Sequence, residues 1–327
     1  MRNYIIRRLL QMIPLILGIS FLVFIILSLT GDPFAALMEN PRVKIEDIRR
    51  LQHQWGFDLP VYLRYFKWLF SIFKGDWGPS LLYPGRMSYD VVMARIPITL
   101  QVMGISFLVA LIVAIPIGIY SAVHQYSFVD YLVTSLSFFG MSMPTFWFGL
   151  MLMILFSLVI QINGMPLLPP GGIMTPGILS EPFWVRFVDR LKYLVMPVIV
   201  LAFNSMGPWS RYMRSSMLEV VRQDYIRTAR AKGLSERVVI YKHALRNALI
   251  PIVTLVALSI PGIVSGAAIT EFVFNIPGMG QLTLNAITKN DFPTAMVCLL
   301  LIGFLTIFFN LVADIVYAIV DPRIRYA

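Results

Sequence analysis

Residues 211–250 read RYMRSSMLEVVRQDYIRTARAKGLSERVVIYKHALRNALI, a basic stretch set between apolar ones. Leu218, Val221, Tyr225 and Ala229 recur at helical spacing on one face, with Arg227 and Arg230 well away from it. Gly233 suits the left-handed position that ends a helix, and Leu234 follows where a hydrophobic contact usually forms. Ser235 is then a good N-cap for a second helix. That helix places Val238, Tyr241, Leu245 and Leu249 on one face before Pro251 opens the next apolar run. The pattern predicts helix, glycine corner, helix. Composition alone leaves open that such a pair simply rests on anionic lipid head groups, as basic amphipathic helices often do.

The surroundings of this knob point to a bilayer. Of the 327 residues, 58% are hydrophobic and 13% charged, whereas a soluble chain carries about 25% charged residues. Mean hydropathy is +0.76. One water-soluble core cannot hide that much apolar surface, which excludes a cytosolic enzyme and a disordered chain. Cys298 is the only cysteine and sits in an apolar run, which excludes a disulfide scaffold. A spanning helix needs about 20 apolar residues, and runs free of Asp, Glu, Lys and Arg cover 9–31, 96–129, 131–180, 193–210, 247–270 and 292–313. The third holds one span near 131–161, because the Pro- and Gly-rich stretch from Gly164 cannot keep a helical ladder in lipid. The run at 193–210 is short and contains Pro197. The expectation is an all-α integral membrane protein with six transmembrane helices. The first run follows Arg7 and Arg8, lacks a small-x-small cleavage site and reads as a retained signal anchor.

Basic residues set the orientation. Arg2, Arg7 and Arg8 precede the first span, nine more lie between Arg211 and Arg246, and Arg323 and Arg325 close the chain. The short loops on the other side hold only Arg186, Arg190, Lys192 and Lys289. This bias puts both termini and the 207–246 loop in the cytoplasm, and it accounts for the net charge of +10 without nucleic acid. Residues 32–95 form a long first extracytoplasmic loop, rich in Trp55, Tyr62, Tyr65, Phe66, Trp68 and Trp77, that folds into short helices on the outer face. Interfacial anchoring explains such aromatics equally well.

Chemistry of the chain's own is not legible. No Gly-Lys dipeptide occurs, so no P-loop is present. His53, His124 and His243 are scattered and no H-E-x-x-H motif occurs, so no metal site and no catalytic residue are expected. Intramembrane carboxylates reduce to Glu271, at the outer end of the fifth span, and Asp314, near the inner end of the sixth. Both are read as reaching the interface or capping a loop. So few buried acids argue against a proton-coupled carrier; a stand-alone secondary transporter or channel is the second reading.

The order of residues in the knob carries more than its composition. Ala229-Arg230-Ala231-Lys232-Gly233-Leu234-Ser235, followed by His243-Ala244-Leu245-Arg246-Asn247-Ala248-Leu249-Ile250-Pro251, resembles the EAA loop of ATP-binding-cassette importer permeases. Arg227-Thr228-Ala229 stands where Glu-Ala-Ala is the common form, and the proline comes late; both departures are similar to the dipeptide, oligopeptide and nickel permease subfamily. The likeness extends over nearly the whole chain. It includes Gly31-Asp32-Pro33, Gly56-Phe57-Asp58-Leu59-Pro60, Gly75-Asp76-Trp77-Gly78, Pro97-Ile98-Thr99-Leu100, Pro144-Thr145-Phe146-Trp147, Pro277-Gly278-Met279-Gly280 and the ending from Asp314 to Arg323.

The resemblance implies the first of two permeases, with residues 1–95 holding the first span plus the extracytoplasmic segment and 96–327 the five-helix core with the 211–250 loop. It implies these partners: a second homologous permease, two cytoplasmic ATP-binding subunits, an extracytoplasmic solute-binding protein and the lipid bilayer of a bacterial or archaeal cytoplasmic membrane. ATP would be bound by the ATP-binding subunits, and the chain itself would hold no cofactor. The coupling loop would comprise Asp224, Tyr225, Arg227, Thr228, Ala229, Arg230, Ala231, Lys232, Gly233 and Leu234. Tyr225 and Ala229 would offer apolar docking surface, Arg227, Arg230 and Lys232 charge contacts, and Gly233 the angle. The solute would be a dipeptide, a longer peptide, nickel or a small oligosaccharide.

Overall fold

A computed structural model describes residues 2–34, 38 and 44–320. Arg323 and Arg325, on which part of the orientation argument rests, lie outside the described residues. The main helices are α1 (Arg2–Thr30), α2 (Ile45–Trp55), α3 (Val61–Phe73), α4 (Ser88–Met93), α5 (Ile96–Val123), α6 (Phe128–Ser142), α7 (Thr145–Met153), α8 (Phe183–Val221) and α9 (Asp224–Ala231). They continue with α10 (Glu236–Val238), α11 (Leu245–Ser265), α12 (Ala268–Val273), α13 (Met279–Thr288) and α14 (Phe292–Val320). The short helices expected within residues 32–95 are present as α2, α3 and α4.

Four stretches are long and apolar enough to cross a bilayer: Ile6–Thr30, Ser88–Val123, Glu236–Ile263 and Phe292–Ile315. Two of the expected spans look different from their sequence reading. The one placed near 131–161 is a pair, α6 and α7, bent by 101°. Pro144 cannot donate to a helical ladder and holds Met143 in an extended conformation, φ −81° and ψ 123°. The one placed at 193–210 is the middle of the 39-residue α8, which at helical rise is about 58 Å long. Its uncharged 193–210 portion covers only about 27 Å, just short of the roughly 30 Å hydrocarbon layer. After α7 a π-helical turn, Ile154–Val159, leads into a two-stranded hairpin, with Gln161 paired to Pro166 and Ile162 to Met165. Asn163 (φ 53°) and Gly164 (φ 75°) make its turn, the residue pair such hairpins prefer.

The chain forms two compact units that interleave along the sequence. The first takes the chain up to Thr99 with Val264–Ala268 and Pro277–Phe309. Its interior is aromatic. The Tyr65 ring meets Phe21 at 5.0 Å and Phe24 at 5.6 Å, and Phe24 meets Phe292 at 5.2 Å. The Tyr65 hydroxyl pairs with Ser20 Oγ at 2.8 Å. Asp291, fully buried, caps α14 and holds a distant loop. Its carboxylate accepts from Thr294 N (3.1 Å), Ser80 Oγ (2.7 Å) and Leu82 N (3.0 Å). Two stretches far apart in sequence meet where Met279 N donates to Thr99 Oγ1 at 2.7 Å. A side chain at Gly280 would place its Cβ 2.6 Å from Ala268 Cα, so that site needs a glycine.

The second unit takes Leu100–Ile263, Ile269–Ile276 and the helix end from Asn310. Small residues let α5, α6 and α8 approach closely, the usual device of helix packing in membranes. A Cβ on Gly207 would stand 2.8 Å from the Ser137 carbonyl oxygen, and one on Gly118 would stand 2.6 Å from the Ser210 carbonyl oxygen. Glu271 is completely buried in α12, which leaves the capping of a loop, of the two expectations for that residue. Asp314 is half-buried in α14.

Candidate functional site

The basic stretch folds as helix, corner, helix, with the corner at Gly233. Gly233 has φ +74° and its N–H donates to Arg230 O at 2.9 Å. A residue with a Cβ resists that conformation, and nothing crowds the position where the Cβ would stand. Ser235 occupies the N-cap position of α10, but its side chain accepts no capping hydrogen bond. Its carbonyl instead takes Val238 N (2.9 Å) and Val239 N (3.1 Å).

The two apolar faces differ from their sequence reading, each for a definite reason. The first amphipathic stretch is not one helix. α8 ends at Val221, Gln223 is extended with ψ 150°, and α9 starts afresh with Asp224 in its first turn, where a carboxylate suits the helix dipole. The restart turns Ile226 and Ala229 inward, 0% and 6% exposed, and leaves Tyr225 outside. Ala229 therefore belongs to the protein's own core and offers no docking surface. In the second stretch a π-helical segment, Val239–Ala244, joins α10 to α11. Such a turn holds one residue more than an α turn and rotates the buried face. Val239, Ile240, Ala244, Ala248 and Ile252 point inward, while Val238 and Tyr241 are exposed. Pro251 lies inside α11 rather than opening it.

The corner sits on a firm base. Ile226, Ala229, Val239, Ile240, Ala244 and Ala248 share one core with Met213, Met217 and Trp209 of α8 and with Ala114, Ile119 and Ala122 of α5. Ser216 Oγ donates to Ala248 O at 2.8 Å, and Asn247 Nδ2 donates to the Tyr225 hydroxyl at 2.7 Å. Beneath it lies a clasp that sequence reasoning missed. Asp130, 4% exposed, accepts two hydrogen bonds from Arg214, at 2.9 Å from Nε and 2.9 Å from Nη2. It also accepts from Ser121 Oγ and, at 3.0 Å, from Tyr126 N. One carboxylate thus ties α5, α6 and α8 together.

What remains outside is a compact surface of mixed character. Arg222, Arg227, Arg230, Lys232, Arg237 and Lys242 are all exposed, with Tyr225, Leu234 and Tyr241 among them. Asp224, Thr228 and Ala231 are exposed beside them. Arg230 forms an ion pair across the corner with Glu236 at 2.6 Å, and Arg227 one with Asp224 at 3.4 Å. Such a surface can dock an acidic, partly apolar groove. Among the described residues no group of three or more His, Cys, Asp or Glu side chains is placed to hold a metal ion.

Two family models together cover most of the sequence. One, the binding-protein-dependent transport system inner membrane component, matches residues 114–326, and its N-terminal companion matches residues 1–103. Among curated relatives, the oligopeptide transport system permease protein AppB of Bacillus subtilis (strain 168) is 42% identical over 327 residues, 100% of both chains. The di/tripeptide transport system permease protein DppB of Pseudomonas aeruginosa (strain UCBPP-PA14) is 36% identical over 335 residues, 100% of this chain and 99% of the relative. The oligopeptide transport system permease protein OppB of Haemophilus influenzae (strain ATCC 51907 / DSM 11121 / KW20 / Rd) is 34% identical, again over 100% of both chains.

Proposed function

This chain belongs to the family of binding-protein-dependent transport system inner membrane components, and from that we propose that it is a permease subunit that carries peptides inward, driven by ATP-hydrolysing partners. Peptides are the solute class named for the relatives with which it aligns end to end. The chain forms half of the pathway and a second homologous permease the other half. An external solute-binding protein delivers the peptide, and two ATPases bind below. The α9 corner is the coupling element. When ATP draws the ATPases together, a helix docked in each moves with it, and the spans rock between outward- and inward-facing states favoured by different bound partners.

The observation that carries this reading is the pairing of an exposed basic corner with a buried, clasped base. A mechanical handle must present its contacts outward and yet not yield when pushed. Leu234 and Tyr225 supply apolar contact; Arg227, Arg230 and Lys232 supply charge; Gly233 sets the angle. The six spans are the four long apolar stretches, the bent α6–α7 pair and the middle of α8, with the basic corner and both termini in the cytoplasm. Cysteine scanning in a Cys298→Ser background tests the orientation: cysteines at 232 and 237 should react only with reagents that reach the cytoplasmic side. Purification tests the mechanism. A stable complex with two P-loop ATPases and ATP-dependent peptide uptake is expected, and full peptide uptake by the chain alone would overturn the reading.

A further inference from the structure

The first unit contains a recess of about 130 Å³, open on one side, whose lining includes Phe24, Trp55, Phe57, Trp77 and Phe292. Arg64 and Trp68, one turn of α3 apart, also line it. Arg64 is 7% exposed. The flat faces of its guanidinium are covered by rings, with its Cζ 4.1 Å from the Phe57 centroid and 5.4 Å from that of Phe24. Its edge is not satisfied. Among the described residues, Arg64 Nε and Trp68 Nε1 are both buried donors without a hydrogen-bond partner, and no carboxylate pairs with Arg64. Burial alone depresses the guanidinium from its ordinary value. Native proteins rarely leave such groups unpaired, and two in one recess call for a shared acceptor.

The acceptor can be characterised from the rest of the lining. One guanidinium and one neutral indole N–H match a monoanion. Lys67 and Asp76 line the same recess with offsetting charges, Lys67 Nζ donating to His53 O at 3.3 Å and Asp76 accepting from Gly78 N at 3.1 Å; the lining therefore carries one net positive charge, which favours a monoanion over a dianion such as phosphate. The aromatic walls favour an apolar group next to the anion. We propose that this recess binds the C-terminal end of a short peptide, the carboxylate taking Arg64 Nε–H and Trp68 Nε1–H and the last side chain lying against the aromatic rings. Charge-assisted bonds of this kind are about twice as strong as neutral ones. The assignment rests on the peptide-import reading for its ligand class and gives that reading a selectivity residue, Arg64.

The test is calorimetric titration of the full chain in lipid nanodiscs with Ala-Phe and with Ala-Phe amide. The free acid should bind about tenfold tighter or better, equivalent to about 1.4 kcal/mol. Arg64→Gln should abolish that preference. Should Arg64→Gln fail to fold, Trp68→Phe keeps an aromatic side chain, removes the N–H together with the five-membered ring that carries it, and should reduce the preference severalfold. Equal binding of acid and amide would overturn the proposal, as would an unchanged preference in Trp68→Phe. It would also fall if inorganic phosphate or added phosphatidylglycerol competed as well as the peptide. Uptake by the complete transporter separates the two claims. Peptide import with an acid-over-amide preference that Arg64→Gln leaves intact overturns the recess and keeps the importer. No peptide import by the wild-type complex, with the preference in binding retained, overturns the importer and keeps the recess.

Discussion

Two arginine–carboxylate pairs in the second unit have opposite surroundings. In the clasp, the Asp130 side chain is 5% exposed and that of Arg214 30%, and the carboxylate takes further hydrogen bonds from Ser121 and the Tyr126 amide. At the corner, the side chains of Arg230 and Glu236 are 40% and 54% exposed, and the pair is not enclosed. The chemistry is the same and the consequences are not. Removing one partner of a buried pair strands a charge where water cannot reach it, whereas solvent readily replaces an exposed partner. The first pair therefore holds helices together. The second can exchange its internal partner for one on another protein at little cost, as a docking surface requires.

The sharpest way to break this contrast is Asp130→Ala. It should lower stability by about 3 kcal/mol, the low end for a broken buried pair because Arg214 keeps some contact with water. Thermal unfolding in nanodiscs would show it. A loss well under 1 kcal/mol would make the clasp incidental. Next in size is Gly207→Val, whose branched side chain would meet the Ser137 carbonyl oxygen 2.8 Å from its Cβ. Overpacking of this kind costs about 1–3 kcal/mol, again visible in the melting temperature.

Gly233→Val works on the other side of the comparison. The left-handed conformation should cost about 1–2 kcal/mol, and with open space at the Cβ position the strain stays local. The expected outcome is a folded complex that hydrolyses ATP but moves less peptide per ATP. Normal coupling in reconstituted vesicles would count against the docking role. The smallest effect is Glu236→Gln, under about 1 kcal/mol for an exposed pair. Swapping charges sharpens the point. Arg230→Glu with Glu236→Arg should restore corner stability, while Asp130→Arg with Arg214→Asp should not restore the clasp, since Ser121 and the Tyr126 amide still donate toward a lost carboxylate.

Much of this architecture was readable in the residues and some was not. The corner was found at Gly233 because only a glycine between two amphipathic stretches is needed to see it. The inward faces of those stretches were each misread by one residue, Tyr225 for Ile226 and Val238 for Val239. A fresh helix start at Asp224 and a π turn at 239–244 both change phase without changing composition. Asp130 was overlooked because it separates two uncharged runs and so read as a boundary, although a buried acid beside Ser121 and opposite Arg214 is its actual setting. Asp291 was overlooked for the same reason, at the edge of the run that becomes α14. The aromatics before Trp77 were noticed, but nothing in their spacing tells a membrane-interface belt from the lining of a recess around Arg64.

Hydropathy and basic-residue placement, taken from the chain alone, determined that this is a helical membrane protein with a basic glycine corner, because the cost of placing charge in hydrocarbon depends on residue type and spacing. Only the tertiary structure decided which arginine is buried and paired, which is exposed and paired, and which is buried without a partner among the described residues. Burial and partnership depend on what the fold brings together from distant parts of the chain, and the order of residues does not carry that information locally.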